Sequence, residues 1–235
     1  MKQEEYWNSV SEKKEFTTPF QAEEFSKYVK TDGLILDVGC GYGRTLDKLY
    51  RKGYHNLIGI DFSRGMIERG KQQFPYLDLR IKEDAKIDLP DASVDAVILF
   101  AVLTCIRTNE EQEQLLAEIK RVLKPQGILY VNDFLLNGDE RNLSRYEKFR
   151  EAYGIYGVFE LPEGAVCRHH DERWIKELLK DFTERKYEHL TFTTMNGHTS
   201  NGFYFIGELE TARAVGKQDS FPDARRNNLG RNAYD

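Results

Sequence analysis

Cysteine is scarce in this chain. Cys40, Cys105 and Cys167 are the only three among 235 residues, and they stand far apart. An odd, sparse count excludes a disulfide framework and fits a reducing compartment. Long apolar runs are missing too. None approaches the ~20 residues that cross a bilayer. The opening Met1-Lys2-Gln3-Glu4-Glu5 lacks the apolar region of a secretory signal, so a cytoplasmic protein is expected. Nor is there an excess of positive charge. With a net charge of −5, a nucleic-acid partner is not expected. Cys167 stands near His169 and His170, but no second ligand pair follows at useful spacing. No metal site is therefore expected.

What is present is a hydrophobic fraction of 40%, enough for the core of one α/β domain with elaborations. Its organising stretch is Ile35-Leu36-Asp37-Val38-Gly39-Cys40-Gly41-Tyr42-Gly43-Arg44. Leu34 to Val38, apart from Asp37, read as a short buried strand. Thr45, Leu46, Leu49 and Tyr50 then recur at helical spacing. The three glycines therefore sit on a strand-to-helix turn, where α/β sheets bind nucleotide-like ligands. Glycine permits positive φ and removes the Cβ that would hold a ligand off the backbone. The dinucleotide fingerprint G-x-G-x-x-G is not met, because Arg44 holds its third glycine position. No Lys-Ser or Lys-Thr completes a phosphate-binding loop either.

The pattern continues downstream. Asn56 to Asp61 reads as a second strand ending on an acid, 22 positions after Gly39. A carboxylate there can accept two hydrogen bonds from a ribose diol. Ser63 caps a helix through Met66 and Ile67, and Phe62 and Met66 suit either an adenine contact or ordinary core. Leu77 to Ile81 is a third strand, followed by Lys82-Glu83-Asp84-Ala85. Ala96 to Leu103, a continuous apolar run, suits a central parallel strand buried on both faces. Thr108 and Glu111 form a capping box for the next helix. After Arg121-Val122-Leu123-Lys124-Pro125-Gln126-Gly127 comes a strand through Val131.

The flanks carry further elements. Glu4 to Ser11 reads as a short helix. Thr18, Pro19 and Gln21 read as the start of a second, with Thr18 as its cap. Asp139 to Tyr153 is a helix in a long connection rich in aromatic residues. Asp171 caps another helix, and Tyr187 to Thr193 and Gly202 to Glu208 alternate as strands. From Thr211 onward, periodicity is lost and a flexible tail is expected.

The run D-V-G-C-G-Y-G, residues 37–43, resembles the first motif of class I S-adenosylmethionine-dependent methyltransferases. The resemblance covers Leu34 to Phe134 and extends loosely to the end of the folded part. It implies a Rossmann-like seven-stranded sheet, mostly parallel with a terminal antiparallel hairpin, and helices on both faces. The methyltransferase domain would occupy residues 1–210, with a substrate cover at about 135–170 and a tail at 211–235. S-adenosylmethionine is the implied cofactor, bound by Gly39, Gly41, Gly43, Asp61, Phe62, Asp84, Ala85 and Phe100. Within that set Asp84 and Ala85 would meet the adenine amine, and Phe100 would border the reactive methyl group. The segment before the first strand would fold over the cofactor through Trp7, Lys14, Phe16 and Thr17. Tyr146, Phe149, Tyr153, Tyr156 and Phe159 would supply the cover's aromatic surface.

The implied reaction is methyl transfer to a small-molecule acceptor by in-line displacement. Such a reaction asks mainly for alignment and exclusion of water. His169 and His170 are the catalytic candidates, as a base or as orienters of the acceptor; the alternative is a loop pair bonding backbone at a helix start. Asn196 and His198 face the same choice. Two rival functions remain open: a non-catalytic S-adenosylmethionine-binding regulatory or scaffold protein, and a nicotinamide-dependent oxidoreductase, which Arg44 disfavours.

Overall fold

In the computed structural model, which describes residues 3–193 and 197–210, parallel strands are laid down first. They are β1 (Ile35–Val38), β2 (Leu57–Asp61), β3 (Asp78–Ile81), β4 (Val94–Phe100) and β5 (Leu123–Phe134). Two long antiparallel strands, β8 (Phe182–Thr193) and β9 (Thr199–Leu209), complete a seven-stranded sheet of order β3-β2-β1-β4-β5-β9-β8. The order reverses between β1 and β4, which pair in parallel from Ile35–Ala96 to Val38–Leu99. A crevice opens at the carboxyl ends of strands where such an order reverses. The glycine turn follows β1, and Phe100 ends β4.

Alternation along the strands builds two cores. Leu36, Val38, Val97, Leu99, Leu129 and Val131 face one side, packed with Leu116 and Ile119 of α5 (Asn109–Val122). Ile35, Ala96, Ile98 and Ile128 face the other, packed with Leu46 and Leu49 of α3 (Arg44–Tyr50). Both faces are thus covered, which is why these strands read as continuous apolar runs.

The expected caps at Ser63, Thr108, Asp139 and Asp171 all form. Ser63 Oγ accepts from Met66 N at the start of α4 (Arg64–Gln73). Thr108 and Glu111 close their box on α5. Asp139 and Asp171 cap α6 (Glu140–Tyr153) and α7 (Glu172–Leu178). Thr18 caps nothing. The helix α2 spans only Ala22–Phe25, and Gln21, which precedes it, makes no side-chain cap. Gln21 Oε1 instead accepts from Asn132 Nδ2 at 3.1 Å and from the Tyr130 hydroxyl, a tertiary demand that outcompetes the local one. The fourth strand stops at Phe100 rather than Leu103. Ala101, at φ 56°, turns the chain into a 3-10 turn over Leu103–Cys105. Gln126 takes φ 64° in the exposed early part of β5, just before the strand enters the core.

The connection from 135 to 170 holds α6 and then a hairpin, β6 (Val158–Glu160) with β7 (Val166–Arg168), standing apart from the main sheet. The sequence reading contained the helix but not this hairpin. At the other end of the chain, α1 (Gln3–Val10) lies across α4. Asn8 Oδ1 accepts from Ser63 Oγ and Gly65 N at 2.9 and 3.1 Å, and Arg69 donates to the carbonyls of Ser11 and Lys14. No helix among the described residues is long and apolar enough to cross a membrane. Asn196 and the tail expected over 211–235 lie outside the described residues.

Candidate active site

The glycine turn is held in a conformation that L side chains resist. Gly39, Gly41 and Gly43 have φ of 73°, 55° and 88°. A Cβ on Gly39 would meet Val102 Cγ2 at 2.5 Å, and one on Gly41 would meet Phe16 Cε2 at 2.8 Å. Gly43 serves a different end. It lines neither of the two cavities described below, and a Cβ there would press on Leu77 and Leu79 at 3.2 Å, so it lets α3 approach the sheet.

Asp61 ties the end of β2 to this turn. Its Oδ2 accepts from Gly41 N and its Oδ1 from Ser63 N, each at 2.8 Å. Burial raises its pKa above the ordinary carboxyl value, and those two backbone donors oppose the rise. Asp37, second-last in β1, is buried, and its Oδ1 has no hydrogen-bond partner. Desolvation, reinforced by the neighbouring charge of Asp61, pushes its carboxyl up to about 8, while Arg44 pulls the other way. The sequence reading quoted Asp37 as part of the motif but did not count it as a binding residue.

Two cavities of about 250 and 1320 Å³ meet over the turn, sharing Gly39, Asp61, Phe62, Val102 and Cys105. Asp84 and Ala85 line the larger one, with Lys82 beside them. The smaller one is lined by Gly41, Asp37, Arg44 and Phe100 at the sheet end, and by Trp7, Lys14, Phe16 and Thr17 from the N-terminal segment. Phe16 stacks on Tyr42 at 5.3 Å, which fixes the segment over the turn. Its far wall is Phe134, Arg141, Arg145, Phe159, Leu161 and His169.

The two histidine candidates part company here. His169 lines the cavity; His170 does not. The Tyr146 hydroxyl, 2.6 Å from His169 Nδ1, and Asn137 Nδ2, at 3.1 Å, both point donors at that nitrogen. The Asn137 amide is oriented by Asn201 N, which donates to its Oδ1 at 2.7 Å. Nδ1 is then an acceptor, and the proton sits on Nε2. Burial, helped by the charges of Arg145, His170 and Arg141, holds His169 well below the usual imidazole range. It is a neutral hydrogen-bonding ring rather than a ready base.

His170 works as a clasp. Its Nδ1 donates to Phe134 O at 3.0 Å, and its Nε2 accepts from Gln112 Nε2 at 2.9 Å. The same Gln112 Nε2 lies 3.0 and 2.9 Å from Leu103 O and Ile106 O, so its two hydrogens are shared among three acceptors, and Gln112 Oε1 accepts from Trp174 Nε1. Burial, followed by the charge of Arg168, lowers the His170 pKa to about 3. Its neighbour Asp133, whose Oδ1 lies 3.8 Å from Nδ1, is pushed by burial up to about 7.

Three of the aromatic residues expected in the cover stand elsewhere, among them Phe149, which packs against Tyr153 with ring centroids 6.2 Å apart. The Tyr153 hydroxyl donates to Glu160 at 2.6 Å, Tyr156 is exposed, and neither lines the cavity. Phe159 does line it, and Tyr146 backs His169. Arg141 and Arg145, which the sequence reading passed over, are an i, i+4 pair on one face of α6; that spacing was the available clue. His198 is exposed and lines neither cavity.

Comparison with known proteins matches this architecture. Residues 36–131 match the family described as a methyltransferase domain. An eEF1A lysine and N-terminal methyltransferase of Mus musculus is 30% identical over 115 residues, 45% of this chain and 16% of that protein. A demethylmenaquinone methyltransferase of Renibacterium salmoninarum is 32% identical over 128 residues, 54% of this chain and 49% of that one. The chain thus spans half or less of the length of these relatives. Among solved structures, a SAM-dependent methyltransferase of Methanosarcina mazei superposes with a TM-score of 0.77 at 23% identity. That match covers 83% of this chain and 100% of the other, a likeness of fold.

Over residues 36–131 the chain is thus similar to S-adenosylmethionine-dependent methyltransferases, enzymes whose cofactor is S-adenosylmethionine. The residues present fit that cofactor. Gly39 and Gly41 put no Cβ at the turn, the Asp61 carboxyl closes β2 where the two cavities meet, and the orphaned Asp37 oxygen is an acceptor suited to an ammonium group.

Proposed function

We propose that the protein transfers a methyl group from S-adenosylmethionine to a small-molecule acceptor. The observation that carries this reading is the smaller cavity, which joins the glycine turn and is roofed by the N-terminal segment and by the 135–170 connection. When bound, the cofactor supplies a sulfonium methyl group that an acceptor lone pair takes by in-line displacement. The chain's part is to hold both ligands and exclude water. Asp61 binds the ribose diol, Asp84 and Ala85 the adenine, and Gly39 and Gly41 give the backbone access. Phe100 and the N-terminal aromatics shield the reacting end.

His169 acts in this reading as an orienter, offering Nε2–H to an acceptor oxygen or nitrogen, while His170 holds the wall behind it. The segment 135–170 is the acceptor's cover, and residues 1–210 are one methyltransferase unit in the cytoplasm. A protein acceptor is the second reading, favoured by the eEF1A-directed relative, although that likeness extends over a sixth of its length. Incubation with methyl-labelled cofactor and separate pools of metabolites and proteins tests the two. Label in the small-molecule pool alone supports the proposal. Label in protein alone supports the second reading. Cofactor binding without turnover on either pool points to a regulatory or scaffold role.

A further inference from the structure

The acceptor end of the smaller cavity carries more positive charge than its own carboxylates answer. Arg141 and Arg145 reach it from successive turns of α6. Arg145 lies over Phe159, its guanidinium carbon 3.6 Å from the ring centroid, and also neighbours Tyr146, 5.8 Å from that ring's centroid. The two rings hold the guanidinium at the cavity wall. Its Nε is buried and has no hydrogen-bond partner. Among the described residues Arg145 enters no salt bridge, and Arg141 has only Asp139, at 3.8 Å. Glu163, the carboxylate on the same side of the cavity, pairs with Lys14 at 4.0 Å instead. Asp37 and Asp61 belong to the cofactor end.

A half-buried guanidinium stays charged, and leaving it unpaired is costly. Burial weighs most against the charge on Arg145 and Arg141 adds to it, while Tyr146 offsets them in part and no carboxylate does. His169, held neutral between them, supplies no countercharge. Around the arginines the wall is apolar, with Phe134, Phe159 and Leu161.

We infer that the acceptor is a small organic carboxylate, its apolar body against Phe134 and Phe159 and its carboxylate on the forked donors of Arg145, with Arg141 reinforcing. This inference rests on the small-molecule reading above and sharpens it. A planar carboxylate matches the guanidinium fork in a way that a neutral amide does not.

The test is calorimetry on the full chain saturated with S-adenosylhomocysteine. The probes are benzoate, 4-hydroxybenzoate, cinnamate, indole-3-acetate and octanoate, each beside its primary amide. At least one acid is expected to bind tenfold or more tightly than its amide. Arg145→Gln should abolish that preference, Arg145→Lys should keep part of it, and Arg141→Gln should weaken it less. S-adenosylhomocysteine affinity should stay within twofold in all three. Equal binding of acid and amide, no binding of any probe, or an undiminished preference in Arg145→Gln each overturns the inference. Loss of S-adenosylhomocysteine binding in a folded Arg145→Gln protein overturns it too, by assigning the arginine to the cofactor. Should Arg145→Gln fail to fold, the acid-to-amide ratios of the wild type and of Arg145→Lys decide. If the wild type itself binds no S-adenosylhomocysteine, the proposed function falls, whatever the arginines do.

Discussion

The half of the cavity built on β1, β2 and β4 and the half built on the 135–170 connection hold their side chains by different means. In the first, backbone geometry does the placing. Three positive-φ glycines, a strand-end acid and a cap follow one another at fixed spacing, and Asp61 bonds two amides within that local frame. In the second, side chains place one another across long sequence distances. His170 reaches Gln112, 58 residues away, and His169 depends on Asn137, which in turn depends on Asn201, 64 residues away. Local rules therefore specify where a cofactor goes. Only the finished fold specifies what an acceptor meets.

Substitutions can press on that contrast from both sides. The largest effect is expected at Asp61. Asp61→Ala removes a ribose contact of the charge-assisted kind, worth roughly 1.5–3 kcal/mol. Affinity for S-adenosylhomocysteine, measured by calorimetry, should fall by about 10- to 150-fold. An unchanged affinity in a folded variant would sever Asp61 from the cofactor.

Next comes pH, because the two halves titrate against each other. The folded pKa of Asp37 is raised from 3.8 to about 8 and that of Asp133 to about 7. Their stabilising contribution is full below pH 3.8 and is lost as pH rises toward those values. His170 is lowered from 6.5 to about 3, and His169 shifts in the same direction. Their contribution is full above pH 6.5 and is lost as pH falls. Between these limits the two slopes oppose, each at about 1.4 kcal/mol per pH unit per group. The melting temperature of the ligand-free protein should be nearly level from about pH 4 to 6.5 and fall on either side. A maximum above pH 8 would contradict the buried carboxyls.

At the clasp, His170→Gln should cost about 1–3 kcal/mol of stability by leaving buried donors and acceptors unmatched. Cofactor affinity should stay intact. His169→Asn should instead lower turnover more than stability, and the wild-type rate profile should show no limb near pH 6.5. If the two variants are interchangeable in these readouts, the division between orienter and clasp is wrong.

The smallest effects are expected on the outer face of the cover. Tyr153→Ala and Tyr156→Ala should each move stability by no more than about 0.5 kcal/mol and leave the acceptor KM alone. A several-fold rise in KM for either would place it against the acceptor after all.

The same contrast explains how far the chain can be read without coordinates. The succession of strands along the chain, the glycine turn, the acid that ends β2 and four helix caps were legible because each follows from a spacing within a few residues. Gly43 was legible as a turn glycine but not as the packing site it is, since its neighbours Leu77 and Leu79 come from another strand region. Thr18 was misread as a cap because the competing bonds of Gln21 reach Tyr130 and Asn132. The hairpin β6–β7 was missed because three-residue strands carry too little alternation to register. Arg141 and Arg145 were passed over because an i, i+4 pair of arginines on a helix does not by itself say which way it faces, and only the fold places both at the cavity.

The N-terminal helix bears on timing. Gln3 donates to Cys105 O, at 3.2 Å on the 3-10 turn after β4, and to Val166 O in the hairpin, while Asn8 holds the start of α4. One short helix is thus bolted to the cofactor side and to the acceptor side at once. Lifting that helix would break its bonds to the 3-10 turn, the hairpin and α4 together, so those three parts of the cavity wall would loosen in one movement.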